Sequence, residues 1–178
     1  MISNFSSCWA FTAQQEGDYT SNPADPGNWT GGACGSGVCV GTKYGISAAA
    51  YPQVDIAGLT LGQAGILMKA DYWDKVKGDD LPAGVDCVTF DSAVNQGPGF
   101  AAKTLQAVVG AEQDGEIGPG TLKAIAAMPA AAIIEAFTAA RITAYKADSG
   151  FSECGADWTR RSNECRAAAL PMLRESAA

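Results

Sequence analysis

Two carboxyl side chains near the front of this sequence, Glu16 and Asp25, are of the type that cleavage of a glycosidic bond uses. One carboxyl must hold a proton and pass it to a leaving oxygen. The other stays ionised, and either orients a water or stabilises positive charge at the anomeric carbon. The chain contains no histidine. It therefore lacks the imidazole ligands of zinc amidases and zinc peptidases, the base of a Ser-His-Asp hydrolase and the Cys-His pair of a cysteine peptidase. Acid–base work near neutral pH falls to carboxylates, or failing them to Lys, Tyr or Cys.

The elements that would position this pair can be read from the local sequence. Residues 4–16 read as a helix with Trp9, Phe11 and Ala13 among its apolar members, and Gly17 is a natural stop. Glu16 then sits beside the unpaired carbonyls of the helix end, and partial burial behind Trp9 or Tyr19 would add to their effect. Both favour a carboxyl that keeps its proton. The plain alternative is a solvated glutamate at a fraying end. Asp25 follows in a stretch, residues 18–47, rich in Gly, Pro, Asn, Asp and Thr, which reads as loop with a short hairpin and a turn at Gly35-Ser36-Gly37. Asp25-Pro26 is also an ordinary turn initiator. Asp18 is a rival carboxylate, expected to face elsewhere.

Beyond this segment the pattern turns helical. Thr60 with Gln63 forms a capping box for a helix running towards Asp71. Pro82 suits the first turn of a helix that carries Val85, Val88 and Val94 and ends near Gly97. Helices are expected at about 98–109, 119–128, 130–147 and 156–169. The fold class is mainly α, with one small β-containing segment. A catalytic region over 1–110 and a helical C-terminal region over 111–178 are expected to pack as one unit.

Composition bounds the function. Of 178 residues 47% are apolar, enough for a real core, and the net charge is -7 with no basic run. A nucleic-acid binder would show a basic face. No stretch reaches the roughly eighteen apolar residues of a membrane span, and the start MISNFSSCWAFTAQQEG has no basic leader pattern. Work in an oxidising compartment would then imply export by another route. The six cysteines admit fifteen pairings. Proximity suggests Cys34 with Cys39 and Cys154 with Cys165, leaving Cys8 and Cys87, as disulfides of a small fold; the alternative is six reduced thiols.

Several segments in order carry a family resemblance. Glu16-Gly17-Asp18-Tyr19, NPADPG from Asn22, TKYGI from Thr42, LTLGQA from Leu59, DYWD from Asp71, LPAGV from Leu81 and FDSAVNQG from Phe90 resemble glycoside hydrolase family 108. That family comprises phage and prophage endolysins described as N-acetylmuramidases. DGEIGPGTL from Asp114 resembles the family's C-terminal peptidoglycan-binding region, and Trp158-Thr159-Arg160-Arg161 gives a weaker match. The resemblance implies a lysozyme-like fold, Glu16 as catalytic acid, bacterial peptidoglycan as partner, and no cofactor or metal. Phage-type lysozymes also share a pattern of Glu, eight residues, Asp, five residues, Thr. Glu16 and Asp25 fit its first spacing; the second lands on Gly31, one past Thr30. Thr42 precedes the Tyr-Gly-Ile that follows the family's threonine, which places an insertion at about 28–41. Thr42 and Thr30 therefore both remain open as the third residue, with Thr42 favoured.

Substrate contacts are expected from Tyr44 and Tyr19, from Trp29 as an exposed platform, and from Asn95 as a hydrogen-bond partner for a sugar acetamido group. Tyr44 and Tyr51 can each be read as stacking on a sugar ring or as core, with contact favoured for Tyr44 alone, and Asn95 is equally explicable as a helix end. An inverting hydrolysis of the bond between N-acetylmuramic acid and N-acetylglucosamine, by a monomer, is the leading expectation. A lytic transglycosylase, a chitinase, or a non-catalytic wall-binding or phage structural module are the rivals.

Overall fold

In a computed structural model, which describes residues 4–175, the chain is mainly α-helical. In order it forms α1 (Phe5–Glu16), a two-stranded antiparallel sheet of β1 (Thr42–Lys43) and β2 (Ile46–Ser47), α2 (Leu61–Met68), α3 (Val85–Gln96), α4 (Pro98–Val109), α5 (Pro119–Ala126), α6 (Ala130–Lys146) and α7 (Phe151–Glu175). The small sheet and the helical remainder are those of the expected lysozyme-like class. Two compact units are distinguishable: Trp9–Leu67, and the described residues up to Cys8 together with those from Met68 onward.

The smaller unit, Trp9–Leu67, is built round a few apolar side chains and many local hydrogen bonds. Trp9, Ala13, Ile46, Ala48, Ile56, Leu59 and Ala64 are buried. The Trp9 indole N–H donates to the Leu61 carbonyl at 3.1 Å, and Gly65 lets the ring lie against α2 because a Cβ there would stand 2.9 Å from Nε1. The capping box forms as the sequence requires. Gln63 N–H donates to Thr60 Oγ1 at 3.3 Å, and Thr60 N–H donates to Gln63 Oε1 at 2.9 Å.

In the larger unit α3 is packed by α4, α6 and α7. Residues Val85 to Ala93 are all buried, so no solvent face relieves its polar members. Each is partnered instead. Asp86 Oδ1 accepts from the backbone of Gly84 and Cys87, both at 2.7 Å, and Asn4 Nδ2 donates to its other oxygen at 3.1 Å. Thr89 Oγ1 donates to Val85 O at 2.7 Å. Asp91, fully buried, holds Arg141 at 2.7 Å and Arg161 at 2.8 Å. Phe5, Trp73 and Phe90 meet edge to face with centroids 5.3 to 5.6 Å apart.

Three expectations need correction. Pro82 lies before α3 rather than in its first turn, because Gly84, at φ +81°, takes the N-cap position. Helix α7 runs from Phe151 to Glu175, longer at both ends than expected, and continues through Pro171. A proline removes one helical hydrogen bond, and the packing of α7 along α6 outweighs that local loss. The cysteine pairings also differ. All six cysteines are thiols in this structure. Cys154 and Cys165 lie on one helix eleven residues apart, about 16 Å along its axis, beyond the reach of any disulfide. Cys39 Sγ is directed at the Ser21 carbonyl, 3.6 Å away, and not at Cys34.

Candidate active site

Glu16 closes α1 on the continuation of its buried side. Trp9, Thr12 and Ala13 are buried, and Thr12 and Ala13 precede Glu16 by four and three positions, which places all of them along one flank of the helix. The glutamate is half-buried, with Oε1 shielded from solvent. Gly17, at φ +79°, stops the helix immediately after it.

The chain beyond that stop is fixed by the β-hairpin. Tyr44 and Gly45 both have positive φ, 52° and 76°, as a tight hairpin turn with the twist of its strands demands. The Tyr44 N–H donates to the Gly17 carbonyl at 3.3 Å, so the hairpin tip covers the carbonyl end of α1. Thr20 and Thr42 exchange backbone hydrogen bonds at 2.9 and 2.8 Å. Thr42 is thereby held opposite a residue four positions beyond Glu16. Gly41 permits this approach. At φ +95°, a Cβ there would stand 2.4 Å from the Thr20 carbonyl and 2.6 Å from the Tyr19 ring. The Tyr19 hydroxyl donates to Val40 O at 3.2 Å, while the residue remains 43% exposed.

Asp25 sits on an exposed turn. It caps the short 3-10 turn Pro26–Asn28, with Oδ1 accepting from Gly27 N at 2.8 Å. Its turn is anchored by Asn28, which is fully buried: Nδ2 donates to Asn22 O at 3.0 Å, and the Asn28 carbonyl accepts from Val40 and Gly41. Gly27 O accepts from Ala49 N at 3.0 Å, tying the turn to the segment after β2. The turn-initiator role anticipated for Asp25-Pro26 is therefore present in the fold.

The 28–41 segment is a loop stapled to itself. Trp29 and Cys39 pair as an isolated bridge, and the Trp29 indole N–H donates to Pro23 O at 2.9 Å, leaving the ring half-buried. Thr30 Oγ1 accepts from Val38 N at 3.0 Å, and a Cβ at Gly37 would stand 2.2 Å from it. The Thr30 hydroxyl is thus occupied within the loop. Asn95 belongs to the larger unit, at the end of α3, where its Oδ1 accepts from the Tyr145 hydroxyl. Tyr51 is half-buried.

A cleft of about 380 Å³ opens beside the end of α1, lined by Gln14, Gly17, Asp18, Tyr44 and Leu61. Glu16 is not among its lining residues; it belongs to the neighbouring flank of the helix. Lys43 Nζ lies 5.4 Å from the Tyr44 ring centroid and donates to Ala57 O at 3.2 Å. The sequence reading missed Asp18 and Gln14 as cleft residues, and Asn28 and Gly41 as the residues that set the loop. The four-residue spacing of Gln14 and Asp18 at the end of α1 was the signal for the first pair. None existed for Asn28, because its burial depends on Val40 and Gly41. Among the described residues no group of three or more His, Cys, Asp or Glu side chains is placed to hold a metal ion. Nor is any single described helix long and apolar enough to cross a membrane.

The family model Glycosyl hydrolase 108 matches residues 9–97, which contain Glu16, Asp25, Thr42 and the hairpin. Among solved structures, "Structure of Brucella abortus SagA" is similar at 37% identity, with 98% of each chain covered and a TM-score of 0.81. No curated protein is significantly similar. The match of half the chain to one family model, together with this likeness over nearly its whole length, establishes that the chain belongs to the Glycosyl hydrolase 108 family of glycosidases.

Proposed function

We propose that this chain is a muramidase, hydrolysing the β-1,4 bond between N-acetylmuramic acid and N-acetylglucosamine in bacterial peptidoglycan. The observation that carries the reading is the situation of Glu16. It ends α1, with Oε1 out of solvent and its segment inside the family match over residues 9–97. A carboxyl so placed suits proton donation to a bridging sugar oxygen. Asp25, on the exposed turn next to the hairpin, positions the attacking water, and Thr42 helps to hold it. Thr42 is preferred over Thr30 because the Thr30 hydroxyl already closes the 28–41 loop. Inversion at the anomeric carbon goes with that assignment and requires the two carboxyls to stand about 6.5–9.5 Å apart in the productive complex.

The enzyme would act as a monomer in the wall compartment. Residues 111–178 would contribute wall binding through the segment from Asp114 to Thr121, a loop that runs into α5. Gln106 supports this loop by donating to Asp114 at 2.6 Å and to Glu116 O at 3.0 Å, and by accepting from Gly115 N at 2.9 Å.

One observation favours a second reading. Asp25 Oδ1 is used to cap its own turn, and a lytic transglycosylase needs an acid/base but no water-activating carboxylate. Digestion of purified peptidoglycan with the wild-type chain and Glu16→Gln, followed by mass spectrometry, tests both. Hydrolysis yields reducing muramoyl ends, and transglycosylation yields 1,6-anhydro ends. Glu16→Gln should lower turnover by about 10²–10⁴ while still binding the wall. Undiminished cleavage by that variant, or wall binding without cleavage by the wild type, would refute the proposal.

A further inference from the structure

The larger unit holds a groove of about 800 Å³. One wall is the segment from Asp71 to Asp80, and the other is Gly115 to Pro119, where the chain turns into α5. Both walls are fixed by contacts of their own. A Cβ at Gly78 would stand 2.3 Å from the Trp73 ring, so that turn lies flat on the indole, whose N–H donates to Asp79 at 2.9 Å. On the other side Gln106, fully buried, accepts from Gly115 N at 2.9 Å and donates to Thr121 Oγ1 at 3.2 Å. Pro98, Ile117 and Leu122 give the groove an apolar lining, and no aromatic ring contributes to it.

Both signs of charge border this lining. Lys75, Lys77 and Asp80 stand on the first wall, and Glu116 on the second. None of these four has an ion-pair partner among the described residues, whereas the neighbouring Asp74 is held by Lys69 at 2.6 Å. Lys77 also has a positive φ of 54°. Glycine takes that conformation with less strain than any residue with a side chain. The turn thus presents a lysine where its backbone favours none.

We propose that this groove takes the peptide stem of peptidoglycan. Lys75 and Lys77 hold the free carboxylates of the stem, and Asp80 and Glu116 hold the ammonium of its diamino acid. The inference rests on the wall-binding part of the reading above and names the portion of the polymer that is bound. Glycan is the poorer fit, because the polarised C–H faces of sugar rings are attracted to the negative face of an aromatic ring, and none is offered here. A chain of net charge -7 gains nothing from long-range attraction to an acidic wall, so recognition falls to close contacts of this kind.

The test is calorimetric titration of the full chain with the free stem tripeptide, L-alanine, D-glutamate and meso-diaminopimelate, beside glycan strands stripped of peptide by an amidase. The tripeptide should bind saturably, and more weakly as salt is raised. Joint Lys75→Glu and Lys77→Glu substitution should lower its affinity about tenfold or more, and acetylating its free side-chain amine should lower it about threefold. Lys77→Gly should lower affinity about threefold without lowering the melting temperature, a combination that a purely structural lysine would not give. Tripeptide binding that is absent in the wild type, or unchanged by the double charge reversal, would overturn the inference. So would stripped glycan that binds more tightly than the tripeptide and loses that binding on the same substitutions. Titration requires no turnover, so its result is separable from that of the peptidoglycan digestion.

Discussion

Replacing Asp86 by Asn should make this protein more stable at neutral pH, although the carboxylate accepts three hydrogen bonds. Burial in the first turn of α3 raises its pKa from the usual 3.8 to about 6, against the opposing effect of its hydrogen bonds from Asn4, Cys87 and Gly84. A raised carboxyl pKa means that the folded state binds the proton more tightly than the unfolded chain does. Below pH 3.8 both states hold the proton and the group is neutral in its effect. Between 3.8 and 6 stability falls with rising pH, and above 6 the full deficit is present. Two pKa units correspond to about 3 kcal/mol, an upper bound on the gain. Asn keeps an oxygen for the Gly84 and Cys87 amides, and the Asn4 amide can turn its own oxygen towards the new NH₂. Urea unfolding of wild type and Asp86→Asn at intervals from pH 4 to 7.5 measures the effect. The two curves should converge near pH 4 and separate with the variant above. A variant less stable at pH 7, with an unchanged slope between 4 and 6, would show that the Asp86 charge is fully compensated in the fold.

Other outcomes follow from the same geometry. Asp91→Asn strands Arg141 and Arg161 in the interior, and should cost about 3–5 kcal/mol in denaturant unfolding. Burial raises the Asp91 pKa, but the two guanidiniums lower it further than burial lifts it. Its stabilisation is therefore present above the ordinary Asp value and is lost as pH falls through its depressed one. Acid unfolding of the wild type should accordingly steepen below about pH 4, and Asp91→Asn should lack that limb. Gly41→Ala places a Cβ against the Thr20 carbonyl at positive φ, and should destabilise by about 2 kcal/mol or more. Because Gly41 adjoins Thr42, peptidoglycan cleavage should fall with it below the melting range, a pairing that activity and circular dichroism together would reveal.

Much of the scaffold was legible because its signals are local. Gly17 ends α1 where a left-handed residue is needed, Thr60 and Gln63 cap α2, and Pro98 and Pro119 open α4 and α5; each acts within four residues of where it is read. Glu16 and Asp25 could be singled out because carboxylates are the acid–base groups left in a chain without histidine.

What needed the tertiary structure is whatever depends on partners distant in sequence. Nothing in VDCVTFDSAVNQ says that Asp91 will face Arg141 and Arg161, fifty and seventy positions away. The cysteines illustrate the same limit. Nearness in the chain suggested Cys154 with Cys165, whereas a continuous helix separates those two and packing gathers Cys165 with Cys87 and Cys8. The fate of the Thr30 hydroxyl and the burial of Asn28 were likewise settled by a loop closing on itself. A sequence records which groups can react and how the backbone turns locally. Which groups meet is decided by the burial of apolar surface, a property of the whole chain.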